Sequence, residues 1–244
     1  MIEMKTKESV TKMLRSEKMK ITYHGHSCIS LEMKNGQQVL IDPFITGNPM
    51  TDLKVDEVQT DWILITHGHA DHIGDMLPIA KNNKATIISI VEIADYAQQQ
   101  GANSFGMNIG GKREFPFGTV KFVHAQHSSS IEIDGVSRYM GEPSGILIQA
   151  DGKTIYHAGD TADFSDLALL GEQFMIDVAF LPIGDNYTMG PEDAARAAKR
   201  IKAKKVVPIH YNTFPVIEQD PQVFIDLLAD TEGKIMSVSE TLEV

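Results

Sequence analysis

Trp62-Ile63-Leu64-Ile65-Thr66-His67-Gly68-His69-Ala70-Asp71-His72 passes from four apolar residues straight into three imidazoles and a carboxylate within six positions. The apolar run reads as a short buried strand, and the histidine-rich stretch after it as the loop at its end. In extended backbone, residues two apart share a side, so His67 and His69 point the same way. A turn into the next helix swings Asp71 and His72 round as a second pair. Gly68 and Ala70 are small enough to let the backbone fold closely around whatever those side chains hold. Imidazole with carboxylate suits zinc and other first-row divalent ions, and one loop of this kind can feed two of them.

Four ligands do not complete two metal sites, so the reading requires further donors downstream. The chain supplies His127, Asp160 and His210, each just past an apolar β-like run, at 119–125, 154–158 and 205–209 respectively. A single cysteine, Cys28, excludes an internal disulfide framework and any CxxC motif. It reads as a small buried hydrophobe, which leaves the cytoplasm as the expected compartment. His24 and His26 lie two apart at a strand start, and they either reach the metal cleft or make structural hydrogen bonds. His124 is one position out of phase with His127 and reads as structural; His157 reads equally well as a core residue. Residues 128–144 follow a metal-ligand candidate and contain Arg138, an anion contact if the segment is a substrate-side loop. An ordinary solvated hairpin connection explains that segment equally well. Tyr187, between a strand and a helix, is a candidate for substrate contact.

Beyond the loop, short β-rich runs alternate with helical stretches at 73–82, 91–100, 192–203 and 221–229, which favours an α/β fold. Further strands are expected at 28–33, 38–41, 62–66, 86–90, 145–149, 178–182 and 235–237, with Asn35-Gly36 and Asp151-Gly152 as hairpin turns. The strands fall into two batches, each with hairpin-like runs followed by strand and helix alternation. That order fits two mixed sheets packed face to face with helices outside better than one doubly wound sheet.

The 244 residues carry 22 Lys plus Arg and 33 Asp plus Glu, a formal charge of −11. Residues 1–20 hold six basic and three acidic side chains, so the remainder holds sixteen against thirty, a charge of −14. Met19-Lys20 directly precedes the first strand-like run, and 1–18 is read as an N-terminal extension to a 19–244 domain. The extension lacks the apolar core of a secretory signal and could form a short amphipathic helix. No window supplies eighteen apolar residues, so no membrane span is expected. The acidic body argues against a broad phosphate-backbone footprint.

His67, His69, Asp71 and His72, then His127, Asp160 in Ala158-Gly159-Asp160-Thr161, and finally His210 resemble the metallo-β-lactamase superfamily in order and spacing, from Met19 to the C-terminus. More narrowly, Tyr23-His24-Gly25-His26-Ser27-Cys28, Leu40-Ile41-Asp42-Pro43-Phe44 and residues 187–195 are similar to uncharacterised metal-dependent hydrolases grouped near L-ascorbate-6-phosphate lactonase. The resemblance implies a four-layer αββα sandwich with two divalent ions per chain, zinc ahead of manganese, iron or nickel. It assigns His67, His69 and His127 to the first ion, Asp71, His72 and His210 to the second, and Asp160 to both. Asp42 would support the metal loop by hydrogen bonds. A hydroxide bridging the two ions would attack a small, anionic ester, lactone or phosphoester, with Asp71 carrying the proton. An RNA-processing nuclease shares the motif, but the acidic body counts against it. A catalytically inactive binding module would not need all seven ligands. Homo-oligomer formation stays open.

Overall fold

The β-rich runs resolve into two seven-stranded sheets in a computed structural model that describes residues 17–244. The 1–18 extension lies, except for its last two residues, outside the described residues. The first sheet takes β1 (Lys20–Tyr23), β2 (Ile29–Glu32), β3 (Gln38–Ile41), β4 (Trp62–Leu64), β5 (Thr86–Ile90) and β6 (Asn103–Met107). The second begins with β7 (Lys112–Phe115) and β8 (Gly118–His124), and a separate hairpin, β9 (Ser130–Ile133) with β10 (Val136–Tyr139), interrupts it. It continues with β11 (Ser144–Ala150), β12 (Lys153–His157), β13 (Val178–Pro182), β14 (Lys205–Ile209) and β15 (Glu232–Gly233), before β16 (Thr241–Glu243) returns to pair with β1.

Each sheet is antiparallel on one side and parallel on the other. In the first, β16 to β3 are antiparallel neighbours and β3 to β6 parallel ones. In the second, β7, β8, β11 and β12 pair antiparallel and β12 to β15 parallel. These are the two similar halves expected from the order of hairpins and crossovers, and the fold is the α/β class anticipated.

Period-2 alternation decides which residues face which layer. Along β11, Ile146 and Ile148 join the core between the sheets while Leu147 faces the opposite side. On β13, Val178 and Phe180 point to that same core, and Ala179 and Leu181 face away. Among the described residues, six α-helices flank the sheets: α1 (Ala70–Ile73), α2 (Met76–Asn83), α3 (Val91–Gln99), α4 (Leu167–Gln173), α5 (Pro191–Ile201) and α6 (Pro221–Asp226). The alanine stripe of α5, Ala194, Ala197 and Ala198, belongs to the cluster on the outer face of the second sheet. Pro191 at its start, Glu192 and Asp193 in the first turn, and Lys199 and Arg200 in the last match what its dipole favours. No helix among the described residues is long and apolar enough to cross a membrane.

Two expectations are corrected. The helix expected at 73–82 is two helices, because Gly74 adopts φ 36° and ψ −121° and ends α1. The strand expected at 235–237 is absent: ladder bonding ends where Lys234 N donates to Val206 O, and a turn closed by Glu240 N donating to Ser237 O redirects the chain toward β16. Residues 128–144 form the hairpin connection, one of the two readings of this segment: β9 and β10 turn at Asp134 and Gly135 with φ 52° and 73°.

Candidate metal centre

β4 stops at Leu64, and the next residues are held from β3. Asp42, at φ 45° just past that strand, is fully buried. Its Oδ1 accepts from Thr66 N at 2.9 Å, and its Oδ2 accepts from the Thr66 hydroxyl at 2.7 Å and lies 2.8 Å from His72 Nδ1. Thr66 Oγ1 is in turn 3.0 Å from His67 Nδ1. One carboxylate therefore fixes the rings of His67 and His72, the first through a hydroxyl and the second directly. Gly68 N donates to Ser129 Oγ at 3.0 Å, and a Cβ on Gly68 would fall 2.6 Å from Met140 Cβ. That close approach, inferred for the loop from its small residues, is here required by the neighbouring segment.

All seven candidate ligands converge from the ends of β4, β8, β12 and β14. His67 Nε2 lies 3.0 Å from His69 Nδ1, and His127 Nε2 lies 3.3 Å from the same atom. On the other side, His72 Nε2 is 4.0 Å and His210 Nε2 3.6 Å from Asp71 Oδ2. Asp160 stands between the two groups. Its Oδ2 is 4.0 Å from His67 Nε2, 3.6 Å from His127 Nε2 and 3.1 Å from His210 Nε2, and its Oδ1 is 3.3 Å from His72 Nε2.

The electrostatics divide the same way. Burial, with His72 nearby, pushes His67 well below the usual imidazole range, and burial likewise lowers His69 and His127. Three neutral rings thus offer lone pairs. Burial disfavours charge on Asp160, yet His210 and His72 outweigh it and hold the carboxyl well below the carboxylate range. Asp71 is likewise ionised: burial opposes this, and His72, His210 and His26 prevail. The same carboxylates raise His72 and push His210 up to about 9, against a burial effect in the opposite direction.

The donor set fits a cation. His72 Nε2, His210 Nε2 and Asp160 Oδ1 are buried without a hydrogen-bond partner among the described residues, although they face one another. Buried polar atoms are normally paired, and a divalent ion that displaces the protons drawn to His72 and His210 would satisfy all three atoms. Three groups within the cluster have ligand atoms close enough to hold an ion: His67, His69 and His127; His67, His72 and Asp160; and His26, Asp71, His72 and His210.

The remaining sequence candidates lie in different surroundings. His24 is engaged on both nitrogens, 2.9 Å from Asp52 Oδ1 and 2.8 Å from Ser30 Oγ. His26 is fully buried against the cluster, 3.1 Å from Asp71 Oδ2, and burial together with the nearby His210 lowers it to about 4. His124 is exposed and packs edge-on against Phe164, whereas His157 is a core residue bonded to Ser27 O. The side chains of Arg138 and Tyr187 are exposed and make no hydrogen bond or ion pair among the described residues, while the Arg138 backbone is paired with Ile131 in the hairpin. Cys28 is buried. Sequence reasoning did not single out Thr66, Ser129 or Thr213 as supports. Thr66 directly precedes His67, and Ser129 is the middle of three consecutive serines that follow His127, whereas Thr213 carries no sequence signal.

Two mixed sheets with helices outside and a buried His/Asp cluster at their strand ends define the metallo-β-lactamase fold. A model of the β-lactamase superfamily domain matches residues 37–211. The chain is 57% identical over 226 residues to a UPF0173 metal-dependent hydrolase of Enterococcus faecalis, covering 93% of this chain and all of that one. A UPF0173 metal-dependent hydrolase of Geobacillus thermodenitrificans is 58% identical over 227 residues, with the same coverage. Among solved structures, Igni18, a metallo hydrolase from Ignicoccus hospitalis, superposes with a TM-score of 0.82 at 38% identity, covering 93% of this chain and 98% of that one. The chain belongs to the metallo-β-lactamase superfamily, and within it to the UPF0173 metal-dependent hydrolases. The names of these relatives specify metal dependence and hydrolysis and no lactone or other substrate.

Proposed function

We propose that the chain hydrolyses a small anionic ester, lactone or phosphoester using two divalent cations held in this cluster. His67, His69 and His127 would hold the first, Asp71, His72 and His210 the second, and Asp160 would serve both. The position of Asp160 carries this reading: it is a buried carboxylate within 4.0 Å of imidazole nitrogens from both groups, with one oxygen unpaired. Zinc suits these donors, and manganese, iron or nickel can use the same set. When bound, such ions lower the pKa of a water from about 15.7 toward about 7 and polarise the substrate oxygen that gains charge.

The protein's own groups orient the reaction. Asp42 holds the rings of His67 and His72 in the tautomers that leave both Nε2 atoms free for an ion. Ser128 Oγ lies 3.3 Å from His69 Nε2 and steadies that ring with Nδ1 turned inward. The Asp71 side chain is 28% exposed against 3% for Asp160. Asp71 is therefore the carboxylate that an incoming water can reach, and it takes the proton released on attack. Arg138, on the hairpin that follows Ser129, and Tyr187, between β13 and α5, are the substrate-side contacts proposed.

Metal-defined protein assayed against lactones, phosphodiesters, thioesters, amides and RNA tests this. The protein should retain close to two divalent ions per chain, and His67→Ala or Asp160→Ala should lose metal and turnover together. Full turnover by metal-stripped protein rejects the proposal, and cleavage of RNA alone moves the substrate to nucleic acid.

A further inference from the structure

We infer that His26 is a positioning residue of the metal centre: its Nε2–H holds the Asp71 carboxylate in place, and Thr213 fixes the tautomer that makes this possible. The inference rests on the reading that Asp71, His72 and His210 bind a cation. His26 Nε2 lies 3.1 Å from Asp71 Oδ2, and His26 Nδ1 lies 2.9 Å from Thr213 Oγ1. An ionised carboxylate only accepts, so a proton is on Nε2; in the neutral ring Nδ1 is then the bare acceptor, and the Thr213 hydroxyl, whose other acceptors, Tyr211 O and Met50 Sδ, lie farther off at 3.4 and 3.8 Å, donates to it.

His26 shares a cluster with three candidate ligands, all of whose ligand atoms lie within 4.8 Å of one another. Its hydrogen bonding separates it from the other two imidazoles. His72 Nε2 and His210 Nε2 are buried and unpaired, whereas both ring nitrogens of His26 are engaged. Within this group His72 and His210 are thus the rings left open to an ion, and His26, with Nε2 on the Asp71 carboxylate and Nδ1 on a hydroxyl, is the ring that supports a ligand.

The backbone of His26 serves the same end. Its carbonyl accepts from His210 N at 2.9 Å and from the Tyr23 hydroxyl at 3.2 Å. The residue sits at φ 57°, following Gly25 at φ 94°, and its ring is 4.1 Å from that of His210, centroid to centroid, with Phe44 and Phe214 edge-on at 5.5 and 5.7 Å. A non-glycine residue keeps such a backbone conformation where its surroundings hold it there. One residue thus braces Asp71 through its side chain and His210 through its main chain, although those two ligands lie on segments far apart in sequence.

Zinc affinities of the two sites, measured on the full chain by chelator competition for the unaltered protein, His26→Ala, His26→Gln and Thr213→Val, test the inference. They are joined by nitrogen-15 spectra of the histidine rings in the zinc-loaded protein. Loss of such a supporting bond costs about 10–100-fold in metal affinity. His26→Ala should lose that much at one ion and nothing at the other, and His26→Gln, whose amide N–H can reach Asp71, should recover most of it. Thr213→Val should show a smaller loss at the same ion. The spectra should show a proton on His26 Nε2. Should His26→Ala not fold, the Gln and Thr213 variants and the spectra decide. With two ions bound to the unaltered chain, unchanged affinities in the variants or a proton-free, metal-bound Nε2 on His26 overturn this inference alone. An unaltered chain that takes up no second ion overturns the dinuclear reading and this one with it.

Discussion

Asp42 joins three partners that sequence separates: the Thr66 amide, the Thr66 hydroxyl and the His72 ring. Removing it strands buried donors, each worth about 1–3 kcal/mol when left unpaired. Asp42→Ala should therefore destabilise the fold by several times the ~1 kcal/mol typical of a substitution and weaken metal uptake by about 10–100-fold. Urea unfolding and chelator competition measure the two effects. A variant as stable as the parent that binds metal equally well would show that Asp42 does not organise the loop. The seven ligand candidates were legible because ligand chemistry restricts residue type and the loops that carry them follow apolar strands. The pair His24 and His26 was not resolved by the same logic. Extended-chain alternation would aim both rings alike, but Gly25 at φ 94° and His26 at φ 57° break the strand, and the two rings acquire unrelated partners. Backbone reversals of this sort are invisible to a period-2 count.

At the level of elements, strands that lie inside a sheet were readable and those at its margin were not. β3, β5, β13 and β14 follow the expected 38–41, 86–90, 178–182 and 205–209, since buried strands are apolar runs bounded by turns. β6 and β7, at the ends of their sheets, read Asn-Ser-Phe-Gly-Met and Lys-Arg-Glu-Phe and show little apolar signal. The break between α1 and α2 shows what a local pattern omits. A Cβ at Gly74 would lie 2.3 Å from Pro43 O, and Asp75 next to it accepts from the amides of Ile45 and Thr46 and the hydroxyl of Thr46. The break is set by the segment after Asp42, which packs into the gap. Gly74→Ala should cost at least the ~1–3 kcal/mol of a strained backbone residue, seen as a lower urea midpoint at unchanged slope. A midpoint equal to the parent's would mean that the Pro43 segment moves aside without penalty.

For the molecule as a whole, the charge of −11 conceals two carboxylates, the buried Asp160 and the half-buried Asp71, that gather imidazoles around them. Protons and metal ions compete for that cluster, which ties global stability to pH. In metal-stripped protein, His210 is raised to about 9, and His72 is raised as well, by those carboxylates against the opposing effect of burial. A histidine whose folded pKa exceeds its unfolded value of about 6.5 contributes stability that is complete below that value. The contribution disappears as pH rises through the folded pKa. Stripped protein should therefore lose thermal stability from about pH 6.5 to about pH 9. Metal-loaded protein should run the other way relative to it, because ligands bind metal deprotonated and affinity rises with pH. At free metal near 100 times Kd the ion contributes about 2.7 kcal/mol, or roughly 5–11 °C in Tm for a domain of this size. The gap between loaded and stripped protein should widen steadily across that pH range in calorimetry with and without chelator. A gap that stays constant or narrows would show that the cation does not occupy the space between Asp71, Asp160 and the raised histidines.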